Sequence, residues 1–328
     1  MTRTSWLLAI EMVAIAAALI VSLDLREHGR VAPLGGVNEW GYRGPVARQR
    51  QPNEVRIAIV GGTRAFGWGV PASALPAELR RLIMLTTDRA GGDVRPIVVV
   101  NLGRMGALPG AYPEIIEHYA YLRPDFVCLY DDLGVQGGSP LTGTAHTSGI
   151  YQLTGYAPAL PLVSREKGMA LRFGDVQRGY ASAALDPDSS ASVVQRVAGS
   201  ALQSAGQALA GVDQALSSVV SRSQRSERRT TYVDEMMEAI ESAHRHARGV
   251  VVVTSPADTV EQRVNSQALQ PRLERLAGSE SWLRRVNLGE DARLSSDAEL
   301  RLDGWNYSSA GVAAVAARIV PALLSLVQ

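Results

Sequence analysis

The sequence predicts an α/β domain of three layers with a mostly parallel sheet, preceded by one N-terminal transmembrane helix. Three observations predict it. An apolar run with a single charge opens the chain. Short apolar runs ending in glycine or polar residues then recur as buried strands. Segments of helical period lie between them, which implies βαβ crossovers.

The opening run is Trp6 to Leu23, WLLAIEMVAIAAALIVSL, with Glu11 as its only charge. It is long enough to cross a hydrocarbon core of about 30 Å at 1.5 Å per residue. Val21-Ser22-Leu23 is a poor cleavage site, so the run reads as an uncleaved anchor contacting membrane lipid through residues 6–23. Arg26, Arg30, Arg43, Arg48 and Arg50 follow it, against Arg3 before it. That bias alone would keep the C-terminal side in the cytoplasm. The reading divides the chain into an anchor at 1–24, a linker at 25–53, and a domain at 54–328 with an insertion at about 136–230.

Within the domain, Val55 to Val60 is the first strand and ends in Gly61-Gly62. Leu75 to Leu85 is helical. Pro96 to Asn101 is the second strand, Tyr112 to Tyr121 a helix, and Asp125 to Tyr130 the third strand. Thr154 to Val163, with Pro158 and Pro161, reads as an apolar loop. Ser192 to Val220 reads as a long helix. Leu202, Leu209 and Leu216 interleave there with Ala198, Ala205, Val212 and Val219 as an a/d stripe. The stripe serves packing within the domain or, on the sharper reading, a coiled coil with a protein partner through 192–220. Gly199, Gly206 and Gly211 weaken this helix by about 1 kcal/mol each relative to Ala. Tyr232 to Arg248 is helical, Gly249 to Thr254 the fourth strand, and Ser308 to Leu326 a closing helix.

Composition narrows function. A net charge of +1 lacks the Lys and Arg surplus that phosphate binding needs, so nucleic acid is not a main partner. Cys128 is the only cysteine, which excludes an internal disulfide and a Cys-based zinc site. No cofactor or metal is expected. Aromatics are 5% of the chain, so an aromatic-lined carbohydrate groove would rest on few residues.

Four blocks at strand ends then resemble one family. Gly61-Gly62-Thr63-Arg64-Ala65-Phe66-Gly67-Trp68-Gly69-Val70 is similar to G-D-S-x-T-F-G-x-G-V, with Asn38 to Gly44 like a segment that often precedes it. Asn101-Leu102-Gly103-Arg104-Met105-Gly106 resembles N-x-G-x-x-G. Pro124 to Val135 resembles P-D-x-V-x-x-Y-x-G-x-N-D. Leu302 to Gly311 resembles D-G-x-H-x-S-x-x-G. These are the blocks of the SGNH (GDSL-type) hydrolases, and the resemblance covers about 38–135 and 230–328. It implies a three-layer flavodoxin-like fold, an extracytoplasmic or periplasmic setting opposite to the charge bias, and acyl transfer from esters.

The resemblance also assigns positions, and several hold the wrong residue. Thr63 stands for the nucleophilic serine and Asn306 for the histidine, while Asp303 keeps the orienting acid. Oxyanion-hole positions fall on Thr63, Gly106 and Gly134, the last in place of asparagine. Gly62 and Val135 replace aspartates. A carboxamide cannot take a proton near neutral pH. The triad is therefore expected to be non-functional, and the protein to act as a binding or assembly component with an acylated glycan or lipid as ligand. The alternative is an active esterase or acyltransferase with Thr63 as nucleophile and His146 or an Asp131/Asp132 carboxylate as base. His28, His118, His244 and His246 read as ordinary helix residues. Asp131 and Asp132 read as a strand-end pair facing water, with ligand or metal binding as the rival. Arg64 reads as an anion binder or a surface ion pair.

Overall fold

A computed structural model describes residues 3–31, 36–67, 70, 74–89, 95–133, 148–174, 192–220, 231–302 and 306–327. The order is α1 (Arg3–Val31), β1 (Val55–Gly61), α2 (Thr63–Phe66), α3 (Ala74–Arg89), β2 (Ile97–Asn101), α4 (Tyr112–His118), β3 (Phe126–Asp131), α5 (Gly149–Thr154), α6 (Leu160–Phe173) and α7 (Val193–Val220). There follow α8 (Tyr232–His246), β4 (Gly249–Thr254), α9 (Val260–Ser279), β5 (Leu283–Asn287), α10 (Ala292–Ser296) and α11 (Ser309–Val327). These elements form two compact units. One holds α1, α5, α6 and α7; the other holds the sheet and the remaining helices.

In the sheet unit, five parallel strands run in the order β2-β1-β3-β4-β5. This is the flavodoxin-like doubly wound order, with its switch point where β1 passes between β2 and β3. β1, β3 and β4 are buried at every position, which is why they read as unbroken apolar runs. β5 was not legible, because LRRVN is an edge strand whose two arginines are only partly buried. α9 was missed as well: it buries only Gln262, Leu269 and Leu273 and carries Pro271 internally, so it has no apolar stripe. α11 is apolar enough to cross a membrane, yet it buries Val315, Ala316, Ile319 and Leu323 in the core beside β5 and α3. Tyr112 to Tyr121 is shorter than expected: α4 stops at His118 and a 3-10 turn covers Ala120–Leu122.

In the helical unit, α1 exposes its large apolar residues from Trp6 to Leu23 and is long and apolar enough to cross a membrane. It does not end at residue 24, where the linker was expected to begin. It continues to Val31 because its last turns pack on α6. Asp24 and His28 are buried there. Asp24 accepts from the Tyr156 hydroxyl and the Leu160 N–H and pairs with His28 at 3.3 Å. His28 Nε2 lies 2.7 Å from the Ala157 carbonyl oxygen, and Glu27 accepts from Lys167 at 2.9 Å.

The apolar stretch 154–163 is only partly a loop. α5 ends at Thr154, and α6 starts at Leu160 with Pro161 in its first turn, where a missing N–H is harmless. α7 packs along α6. Its contact face is not the full a/d stripe. Gly199 and Gly206 are buried and Leu202 and Leu209 half-buried, whereas Ala198, Ala205 and Val212 are exposed. The glycines set the geometry: a Cβ on Gly199 would meet the Gly168 carbonyl oxygen at 2.8 Å, and one on Gly206 the Pro161 carbonyl oxygen at 2.7 Å. They weaken the isolated helix, but they let two backbones touch.

Candidate functional site

The site sits at the C-terminal ends of β1, β2 and β3, all in the sheet unit. β1 delivers the chain into Gly62 and the single turn α2. Asn101, at the end of β2, fixes that turn: its Nδ2 donates to the Ala65 carbonyl oxygen at 2.9 Å, while its Oδ1 accepts from the Gly103 N–H at 2.9 Å. Arg43 holds the other end. Its guanidinium donates to the carbonyl oxygens of Phe66, Gly67 and Val70, the orphan acceptors that follow a helix turn. Burial lowers the Arg43 pKa to about 10, so it stays charged at neutral pH.

Thr63 is buried at the head of this turn, and its Oγ1 accepts from the Gly106 N–H at 3.1 Å. Gly106 has φ 72°, a left-handed conformation suited to glycine, which presents that N–H to the site. The Arg64 N–H donates to Asp132 Oδ2 at 3.0 Å. Burial pushes the Asp132 carboxyl pKa up, opposed by the Arg64 charge and the backbone N–H groups at the head of α2.

The structure thus brings Thr63, Arg64, Gly106 and Asp132 together. Asn306 is buried nearby in sequence to Tyr307, and both line a small cavity of about 20 Å³ with Arg43, Arg64, Asn101 and Tyr130. Asp303, Gly134, Val135 and His146 lie outside the described residues.

Arg64 is neither a surface ion pair nor an open anion binder. Its side chain is 3% exposed and donates to Asp258 at 2.6 Å. Arg301 pairs with the same carboxylate at 3.2 Å, and the two guanidinia lie 5.6 and 5.3 Å from the Tyr307 ring centroid. Burial alone would lower the Arg64 pKa; Asp132, the tyrosines and Asp258 raise it above its usual value, so the charge is permanent. An isolated positive charge would not survive this burial, and the carboxylates compensate it.

Asp131 and Asp132 do not face water; both are buried. Asp131 accepts from the Tyr232 hydroxyl, from the Tyr112 hydroxyl at 3.3 Å and from the Leu133 N–H at 3.1 Å. Leu133 holds φ 55°, a left-handed conformation unfavourable for a branched side chain, and its carbonyl accepts from Asn265 at 3.1 Å. Among the described residues no three His, Cys, Asp or Glu side chains are placed to hold a metal.

Burial, with Asp132 adding repulsion, raises the Asp131 pKa to about 7 against its donors. The folded protein therefore binds this proton more tightly than the unfolded chain. Its contribution is fully present below about pH 4 and is lost as pH rises toward 7. Asp131→Asn is expected to remove that slope. Urea unfolding from pH 4 to 8 should show the mutant gaining on the wild type as pH rises, by about 1–3 kcal/mol at pH 8. Parallel pH profiles would contradict the assignment.

Other groups were missed in the sequence. Asp258 precedes Thr259, which forms a capping box with Gln262 at the start of α9; that T-x-x-Q spacing was a readable helix signal. Arg43 lies in the matched upstream segment, but nothing local marks it as the clamp of α2. Tyr112 and Tyr232 reach Asp131 from distant segments. The described histidines are partnered elsewhere: His244 stacks on Trp282 and His246 contacts Glu117 at 2.8 Å, while His118 lies edge-on to Tyr119, its pKa lowered by burial and Arg104. Cys128 is buried, with a pKa pushed up to about 12, and so is inert.

No protein-family model and no curated protein matches the sequence. Among solved structures the chain is similar to a lipase/acylhydrolase from Enterococcus faecalis, at 12% identity and TM-score 0.43 over 82% of this chain and 95% of that one. It is similar to an alpha/beta hydrolase enzyme from the metagenome of Lake Arreo, Spain, at 11% identity and TM-score 0.42 over 83% and 96%. A two-domain esterase active on acetylated mannans gives 11% identity and TM-score 0.41, over 84% of this chain and 50% of that one. The α/β assignment rests on the parallel sheet and its strand order.

Proposed function

We propose that this chain is a membrane-anchored SGNH (GDSL-type) hydrolase-like protein with a degenerate catalytic centre. It serves as a binding or assembly component in cell-envelope or exported-glycan processing, on the extracytoplasmic side, with an acylated glycan or lipid as ligand. The ordered blocks and the flavodoxin-like sheet support the family; the apolar α1 supports the anchor.

One observation carries the degenerate reading: a backbone donor that an oxyanion hole needs is already engaged. The Gly106 N–H donates to the Thr63 hydroxyl at 3.1 Å. The residue at the base position is the carboxamide of Asn306, which cannot accept a proton near neutral pH. Loss of one triad member alone removes several powers of ten in rate. The exposed Val194, Val197 and Val212 of α7 are the surface we assign to a protein partner.

The test is hydrolysis of p-nitrophenyl acetate by the detergent-solubilised full chain. Wild type and Thr63→Ala are expected to give the same background rate. Turnover that Thr63→Ala abolishes would establish Thr63 as a working nucleophile and overturn the proposal.

A further inference from the structure

In the family pattern quoted above, an aspartate directly precedes the nucleophile and a glycine stands two residues after the tyrosine of the third block. This chain carries the two residues the other way round, as Gly62 and Asp132. The structure makes that exchange a physical matter. A Cβ added to Gly62 would lie 2.6 Å from Asp132 Oδ2 and 2.9 Å from the Ala107 carbonyl oxygen. The carboxylate of Asp132 thus occupies the volume in which a side chain at 62 would begin.

The register explains how it gets there. β1 and β3 are neighbours, with Gly61 opposite Tyr130, so the chain leaving β3 passes beside the chain leaving β1. From that side Asp132 accepts from the Arg64 N–H at 3.0 Å, and the Arg64 guanidinium supplies the compensating charge. An aspartate at either position would put one carboxylate at the head of α2. Carboxylates at both would collide and repel, and at neither would leave a buried N–H donor without its acceptor.

We infer that Asp132 is the positioning residue of the Thr63 turn, and that Gly62 and Asp132 are one coupled exchange in which the carboxylate arrives from β3 instead of from the residue before Thr63. The comparison with the family rests on the SGNH reading; the coupling is a property of this chain's own geometry.

The test uses four full-length proteins in detergent: wild type, Gly62→Asp, Asp132→Gly and the double variant. Each single variant is expected to lower Tm by about 5 °C or more, and the double to recover at least half of the summed loss. Hydrogen exchange of a peptide spanning 62–66 gives the local readout. Asp132→Gly should accelerate it, the double variant should restore it, and Asp132→Asn, which keeps an acceptor oxygen, should lie between. Additive Tm losses, or exchange at 62–66 that ignores Asp132, would overturn the coupling. Neither readout uses activity. An active wild type would therefore leave this inference standing, and additive losses would leave the inactive reading standing.

Discussion

A variant carrying Thr63→Ser, Asn306→His and Gly134→Asn, together with the paired change Gly62→Asp and Asp132→Gly, is expected to hydrolyse p-nitrophenyl acetate. Its rate should exceed that of the wild type by about 10²-fold or more, the low end of what a positioned base contributes. On the proposed reading, each change answers a defect with a physical cause. Serine removes the methyl that crowds attack and restricts χ1. Histidine supplies a group that can take the hydroxyl proton. The resemblance assigns an oxyanion donor to position 134, so asparagine there would add one worth about 3–4 kcal/mol. Moving the carboxylate from 132 to 62 relieves the clash that Gly62→Asp alone would create with Asp132 Oδ2. The same set without Asp132→Gly is expected to fold poorly and stay inactive. Arg64, held charged in the cavity that Asn306 also lines, should lower the pKa of the new histidine and keep it a neutral base. Initial rates across pH check both points. A five-change protein that folds and remains inert would mean that the cleft has diverged beyond these positions.

The second large effect concerns two glycines of α7. Helix propensity predicts that Gly206→Ala and Gly211→Ala both stabilise, by about 1 kcal/mol each. The packing separates them. A Cβ at 206 would meet the Pro161 carbonyl oxygen at 2.7 Å and the Arg165 N at 2.8 Å, both backbone atoms of α6 that cannot swing aside. At 211 nothing lies within 4 Å. Gly206→Ala is therefore expected to destabilise the helical unit by about 2–3 kcal/mol, in the range of an overpacked core, while Gly211→Ala stabilises it by about 0.5–1 kcal/mol. Thermal unfolding followed by helical circular dichroism measures both. Stabilisation by both changes would mean that α6 and α7 are not in backbone contact.

What the sequence revealed follows from how each feature is encoded. The buried strands β1, β3 and β4 carry their burial in every residue, so periodicity finds them. The edge strand β5 is specified by its neighbour and not by apolar content. The turn after β1, with Thr63, and the turn after β2, with Gly106, were readable from the resemblance of their two blocks to a known pattern. The surroundings of the first turn were not, because they are built from pairs far apart in the chain. Arg64 meets Asp258, Asp131 meets Tyr232, and Arg43 meets the end of α2. The aspartates look like a solvated turn in sequence because charged residues at a strand end usually are. Only the convergence of Tyr112, Tyr232 and the head of α2 buries them. The a/d stripe of α7 was read by the same one-dimensional logic. Its actual contact face follows the glycines, since close backbone approach outweighs larger side chains at that crossing.

On the proposed reading, the Thr63 hydroxyl is not activated for attack. Covalent labelling tests it without any assumption about substrate. The full-length protein would be incubated with an alkyl fluorophosphonate and its intact mass recorded. The mass is expected to stay unchanged, with the five-change variant labelling as a positive control. A stoichiometric adduct mapped to Thr63 in the wild type would show a working nucleophile and overturn the degenerate reading.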